Sequence, residues 1–373
     1  MIYLDNAATT RPLLDALETC NLYHTDYYFN ASALYKTGRD VFTAIVEAKK
    51  TLLSAFATQK HDVIFTSGGS ESDNTAIFSS ARRGNAVTTA GEHSAVYESF
   101  RHLGQQGIET RFAPIDKNGK CKVEELLALV DENTSLVSVV HVNNETGAIN
   151  DVNAIAVAVK KKNPRVVVHV DGVQAFGKIP YRLSADVDFY AVSAHKIGGI
   201  KGVGALFYKK TTPLHPLIYG GGQEGGLRSG TENVFGIKVM EYAAKRRLSL
   251  AGQNFEHAKT LVNVLISHLD HDLFTVISST DASPYLVSLS AVGVRGEVLQ
   301  HMMENQGVIV GTGSACSSRS RHSRILTACG YRSDVLDGAI RFSFCPETTV
   351  EEVKKAVINL NDCAKKLKKV MHV

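Results

Sequence analysis

The feature that most narrows the fold of this chain is an alternation of two periodicities. Val41, Ile45, Ala48, Leu52 and Phe56 recur every three or four residues, which predicts an amphipathic helix over 39–57. Short runs rich in β-branched residues follow at 63–66, 86–89, 136–141, 165–170 and 187–193, and helical stretches at 70–82, 94–106 and 151–162 separate most of them. Repeated β-α units of this kind imply an α/β fold with a mainly parallel sheet and helices on both faces. A further run at 203–208 begins too soon after Ser193 for a helical crossover, so it is predicted to lie antiparallel.

A glycine-rich stretch, 220–231, closes this region. Ser229 and Glu232 have capping-box spacing and predict the start of a long helical region. Past about residue 256 the texture changes. Strand-like pieces at 273–279, 284–292, 307–310 and 339–344 surround a helix near 296–305, and Thr349 with Glu352 predicts the cap of a last helix. The expected organisation is a large domain over 15–255 and a smaller α+β domain formed by 1–14 and 256–373.

Composition excludes some functions. Lysine and arginine exceed aspartate and glutamate by only four, and the densest basic run, 365–369, suits the end of a helix, so no nucleic-acid partner is expected. The six cysteines form no C-x-x-C pair, and no metal site is expected. No apolar run is long enough to span a membrane, and Met1–Asp5 lacks the pattern of a signal peptide, so a cytoplasmic location is expected.

Several motifs carry candidate chemistry. Thr66–Ser72 places glycines between a strand and a helix, either as an anion site or as a simple turn. Asp171 ends a strand within His169–Gln174; it is either a turn residue or a carboxylate for a protonated ring nitrogen. Lys196, after Ser193-Ala194-His195, is either a loop lysine or a Schiff-base former. Cys316 lies in a polar loop of small residues with Arg319, Arg321 and His322 nearby, a setting that favours a thiolate. Cys329, Cys345 and Cys363 have ordinary settings. Arg341 interrupts an apolar strand and needs a planar anion, from a substrate or from an internal acid. His93 opens a helix, and Asn143–Gly147 reads as a turn.

Taken together, these motifs resemble the cysteine desulfurases of the class V aminotransferase family (NifS/IscS-like), which are pyridoxal 5'-phosphate (PLP) enzymes of fold type I. The resemblance runs through Tyr3–Thr10, Phe65–Asn74, Glu92-His93, His141–Gly147, His169–Gln174, Ser193–Lys196, Gly220–Thr231, Gly313–Cys316 and Ile340–Ser343. It implies a seven-stranded, mainly parallel sheet and removal of sulfur from L-cysteine to give L-alanine and a persulfide on Cys316. It implies that Lys196 forms the Schiff base with PLP, Asp171 pairs with the pyridine nitrogen, Gln174 bonds the ring hydroxyl, and His93 stacks on the ring and assists proton transfer as a catalytic residue. Gly69, Ser70, Ser193 and His195 are implied to hold the phosphate, with Thr231 reaching that of the other subunit in a homodimer. Asn144 and Arg341 are implied to bind the substrate carboxylate. The implied sulfur acceptor is an Fe–S scaffold or a tRNA-thiolation enzyme.

The sequence departs from the family pattern in two places. Asn30-Ala31-Ser32 stands where a proline is usual, and Gly198 and Ile200 follow Lys196 where an aromatic residue and a proline are common. A selenocysteine lyase, or another class V lyase, is the alternative with the same groups.

Overall fold

The computed structural model describes residues 1–312 and 322–371. The predicted first helix spans Lys36–Ala55 and buries Val41, Ala44, Ile45, Ala48 and Leu52 along one face. Each large aliphatic side chain removed from water there contributes about 1.5–3 kcal/mol. The helix stops before Ala57, which takes a left-handed conformation (φ 49°).

Twelve strands run through the described residues: β1 Ile2–Leu4, β2 His61–Thr66, β3 Asn85–Thr89, β4 Glu109–Ala113, β5 Thr134–Val140, β6 Val167–Asp171, β7 Phe189–Ser193, β8 Gly204–Lys209, β9 Phe274–Val276, β10 Leu286–Ala291, β11 Val308–Val310 and β12 Ala339–Ser343. Seven of them form one sheet in the order β2-β8-β7-β6-β5-β3-β4. Only β8 runs against the others, pairing antiparallel with both β2 and β7, as the short connection from Ser193 predicts. Helices Gly69–Ser80, Ser94–Gln105 and Val152–Lys162 provide crossovers. The carboxyl ends of β2, β3, β5, β6 and β7 therefore open on one edge, where ligands bind in open α/β sheets.

The strand β4 matches none of the sequence runs. It is an edge strand, and only Ala113 of Glu-Thr-Arg-Phe-Ala is buried. Arg111 spends its guanidinium on Glu109 and Asp131. A half-solvated edge strand loses the apolar alternation that marks an internal one.

The expected helix start at Ser229 is corrected. Ser229 is buried and accepts from the Gly222 N–H at 3.3 Å. The helix instead begins at Val234, capped by the Asn233 side chain, which accepts from Gly236 N–H at 3.0 Å. The helical region also breaks at Leu250 into Val234–Ser249 and Ala251–His268.

Strands β9, β10 and β12 form an antiparallel sheet, with Ser288 opposite Arg341. The N-terminal strand β1 pairs in parallel with β11. Leu4, Leu261, Leu289, Val310, Phe342, Phe344 and Leu360 share one core there. The last helix, Val350–Met371, has the predicted capping box: Glu352 accepts from Thr349 N–H at 2.9 Å, and Thr349 Oγ1 accepts from Glu352 N–H at 3.2 Å. Cys20, Cys121, Cys329 and Cys363 are buried free thiols. Among the described residues no helix is long and apolar enough to cross a membrane.

Candidate active site

A cavity of ≈ 340 Å³ lies at the carboxyl edge of the large sheet. Gly69, Ser70, His93, Asn144, Asp171, Gln174, Ser193, His195, Lys196 and Arg341 all line it. These sequence-predicted residues come from the ends of five sheet strands and from β12. Thr231 does not join them; it is exposed beside a separate cleft with Glu224 and Arg228. Cys316 lies outside the described residues.

One end of the cavity is built for an anion. Gly69 and Ser70 are the first residues of the twelve-residue helix Gly69–Ser80, whose free N–H groups and positive dipole end face outward. A Cβ on Gly69 would stand 2.7 Å from Val173 Cγ2, so glycine lets the two segments meet. The Ser193 hydroxyl is buried with no hydrogen-bond partner. An orphaned hydroxyl beside a helix N-terminus fits a phosphate. Next to it His195 accepts or donates at Thr9 Oγ1, 3.1 Å away. Burial, with Lys196, Lys178 and Lys201 nearby, pushes its pKa down to about 4.

At the centre, Asp171 accepts from Val173 N–H at 3.0 Å. Burial pushes its carboxyl up, while His93 and Lys196 pull it down. A cation bonded to it would hold it ionised. Gly172 follows because a Cβ there would sit 2.0 Å from the ring of Tyr190. Lys196 Nζ donates to the carbonyls of Ala7 at 2.6 Å and Ala8 at 2.8 Å. Gln174 Nε2 donates to the same Ala7 carbonyl at 2.8 Å, and Gln174 Oε1 accepts from Lys178 at 2.8 Å. His93 caps helix Ser94–Gln105, its Nδ1 accepting from Ala95 N–H at 3.2 Å. That bond assigns the neutral imidazole its proton on Nε2, and burial holds the ring neutral.

Behind Asp171 lies a second row of acids. Glu92 accepts from Thr89 Oγ1 at 2.6 Å and from Val140 N–H at 3.0 Å, yet burial pushes its pKa to about 8. Asp73 is raised well above the carboxylate range by burial and by Asp171 and Glu92. Its Oδ1 stands 3.3 Å from Nε2 of His169. Burial and the neighbouring negative charges together disfavour ionising all three of these carboxyls at once.

The opposite end holds Arg341, which is 6% exposed. Its Nη2 donates to Asp5 Oδ1 at 2.8 Å and its Nη1 to the Asn144 carbonyl at 2.7 Å. Of the two partners left open by the sequence, the internal acid is therefore present. Arg341 Nε and Asn144 Oδ1 remain buried without partners, a donor and an acceptor still available to a further polar ligand.

Asp5, Asp73 and Lys178 escaped sequence reasoning as individual site residues. Asp73 had a signal, because it lies one helical turn past Gly69 and Ser70 and so shares their face. Asp5 and Lys178 had none, since each acquires its role only through a partner remote in sequence or a neighbouring amide.

Comparison with known proteins identifies the family. Residues 2–356 match the family model described as aminotransferase class-V. A cysteine desulfurase of Bradyrhizobium diazoefficiens is 34% identical, over 98% of this chain and 95% of its own. The solved structure of a NifS-like protein superposes with a TM-score of 0.91 at 34% identity, covering 98% of this chain and 100% of that one. Another, SspA in complex with cysteine, has a TM-score of 0.81 at 25% identity, covering 94% of this chain and 100% of that one.

Proposed function

The chain belongs to the class V aminotransferase family and is a PLP-dependent cysteine desulfurase; from that premise we propose which of its residues perform the reaction. The observation that carries the assignment is the convergence of Lys196, Asp171 and Arg341 on one cavity, between an orphaned hydroxyl and a guanidinium with a free Nε.

Bound PLP supplies an electron sink for bond changes at Cα and Cβ of the amino acid. Lys196 carries the cofactor, Asp171 pairs with its ring nitrogen, and His93 covers the ring. Gly69, Ser70, Ser193 and His195 hold the phosphate. Arg341 Nε and the Asn144 side chain receive the carboxylate of L-cysteine, which orients its Cα toward Lys196. Lys196 Nζ would move the Cα proton. The Cys316 thiolate attacks the substrate sulfur. The C–S bond breaks, an S–S bond forms, and the thiol's proton ends on carbon, so L-cysteine and the thiol become L-alanine and a persulfide. Thr312, the last described residue before the 313–321 segment, lines the cavity, which supports a role for Cys316 there.

The same reading includes a homodimer whose partner phosphate is reached by Thr231. Tyr28, Leu34, Tyr35, Phe42 and Tyr219 are all more than half exposed, an apolar surface that favours association. The division into domains at about residues 14 and 255, the cytoplasmic location, and delivery of sulfur to an Fe–S scaffold or a tRNA-thiolation enzyme belong to this proposal too.

Mass spectrometry after incubation with L-cysteine tests the central step. The peptide carrying Cys316 is expected to gain one sulfur atom. Sulfur found only on another cysteine removes Cys316 from the role.

A further inference from the structure

Lys178 is a buried cation that the roles above leave unused. It is 7% exposed, on the turn after Gln174. Its Nζ donates to Gln174 Oε1 at 2.8 Å. Among the described residues no carboxylate forms an ion pair with it. The charges that act on it come from Lys196 on the turn after β7, Arg341 on β12 and Arg247 on helix Val234–Ser249, with Cys345 acting the other way, and Lys178 acts in turn on His195. Nearly all of these are cations or neutral. Burial, followed by Lys196 and Arg341, pushes the Lys178 pKa down to about 7.

A buried ammonium with no anion is costly and is retained only where something compensates it. The geometry shows where compensation can enter. Gln174 Oε1 is committed to Lys178, so its amide must present Nε2 toward the cavity. One Nε2 hydrogen goes to the Ala7 carbonyl at 2.8 Å, and the amide has a second. That Ala7 carbonyl also accepts from Lys196 Nζ, so Lys178 and Lys196 are linked through one side chain and one carbonyl.

We propose that Lys178 is a positioning residue whose counter-anion arrives with the cofactor: it turns the Gln174 amide toward the phenolic oxygen of PLP and stabilises negative charge on that oxygen. The inference rests on the assignments of Gln174 and Lys196 above. It makes the ammonium a burden on the empty protein and an asset to the loaded one. A lysine kept for packing or for an internal bond would stabilise both.

Lys178→Met in the full-length chain separates these roles. Thermal unfolding is measured on protein stripped of PLP, and PLP affinity by titration of the visible absorbance band. The expected result is a higher unfolding temperature for the stripped variant together with PLP affinity weaker by about tenfold, the effect of one hydrogen bond from a charged group. A stripped variant less stable than the parent, or one that fails to fold, makes Lys178 structural and overturns the inference. So does unchanged PLP affinity. Lys196→Ala is assayed alongside: normal turnover of L-cysteine there overturns the assignment of Lys196, and the inference falls with it. An unchanged Lys178→Met beside a Lys196→Ala that loses turnover overturns the inference alone.

Discussion

Arg341 donates to Asp5 Oδ1 at 2.8 Å, joining residues 336 positions apart beside the cavity. Gly311 is the third member of the contact. A Cβ on it would stand 2.5 Å from Asp5 Oδ1 and 3.0 Å from Arg341 Nη2. The two side chains are 8% and 17% exposed, so the pair is largely shielded from solvent. Asp5→Ala leaves a buried guanidinium short of an acceptor and free to tilt. The expected cost is about 2 kcal/mol in urea unfolding, with KM for L-cysteine rising about tenfold and kcat changing less. An unchanged KM would show that Asp5 does not orient the arginine.

Buried titratable groups give the stability profile two opposing slopes. Glu92 is held near 8 by burial, whereas in the unfolded chain it ionises near 4.5. Between those values the unfolded chain releases a proton that the folded one keeps, so stability falls as pH rises. Asp73 has the same sign. Burial lowers His141 and His195 to about 4 and His169 to about 3. Below their unfolded value of 6.5 they act the other way, and stability falls as pH drops. Glu92→Gln keeps an acceptor for Thr89 and removes the ionisation. Relative to the parent, it is expected to gain about 2 kcal/mol between pH 6 and pH 8 in urea unfolding. A difference between the two proteins that stays constant with pH would assign the alkaline slope elsewhere.

Much of this was legible in the chain because the groups sit where secondary structure changes. Asp171, Lys196 and Gly69 stand at strand ends or helix starts, and the periodicity on either side locates such points. The antiparallel β8 followed from the length of its connection. The strand β4 was hidden because an edge strand need not alternate. Ser229 had the spacing of a cap but is drawn instead into the glycine-rich loop by Gly222, and Asn233 takes its place. Asp5 and Lys178 were hidden for a different reason. Asp5 gains its significance from a partner 336 positions away and Lys178 from a shortage of anions after folding, and no local pattern encodes either.

Ser193 follows the same logic in a smaller group. Its buried hydroxyl makes no hydrogen bond within the protein. Ser193→Ala therefore loses no internal bond, and the stripped protein is expected to be unchanged or more stable by about 1 kcal/mol. PLP affinity is expected to fall about tenfold through the loss of one bond to a charged phosphate. Equilibrium dialysis against PLP and a urea curve on the stripped protein provide the two readings. Equal losses in both would mean that the hydroxyl supports the fold, not the phosphate.

Gly172 tests whether the position of Asp171 is set by the core beneath it. A Cβ at residue 172 would lie 2.0 Å from Cε1 and 2.1 Å from Cζ of Tyr190. That ring is fully buried, packs edge-on against Phe56 and bonds His141 Nδ1 at 2.8 Å, so it has nowhere to go. His141 N–H in turn donates to the Asp171 carbonyl at 2.9 Å, which ties the strand end to the same cluster. Gly172→Ala is expected to cost about 3 kcal/mol and to weaken PLP retention by displacing the carboxylate. Tyr190→Leu makes room at the price of the His141 bond. In that background the cost of Gly172→Ala should shrink by at least about 1 kcal/mol, a coupling typical of residues in contact. The same cost in both backgrounds would mean that the backbone at 172, and not the tyrosine, demands glycine.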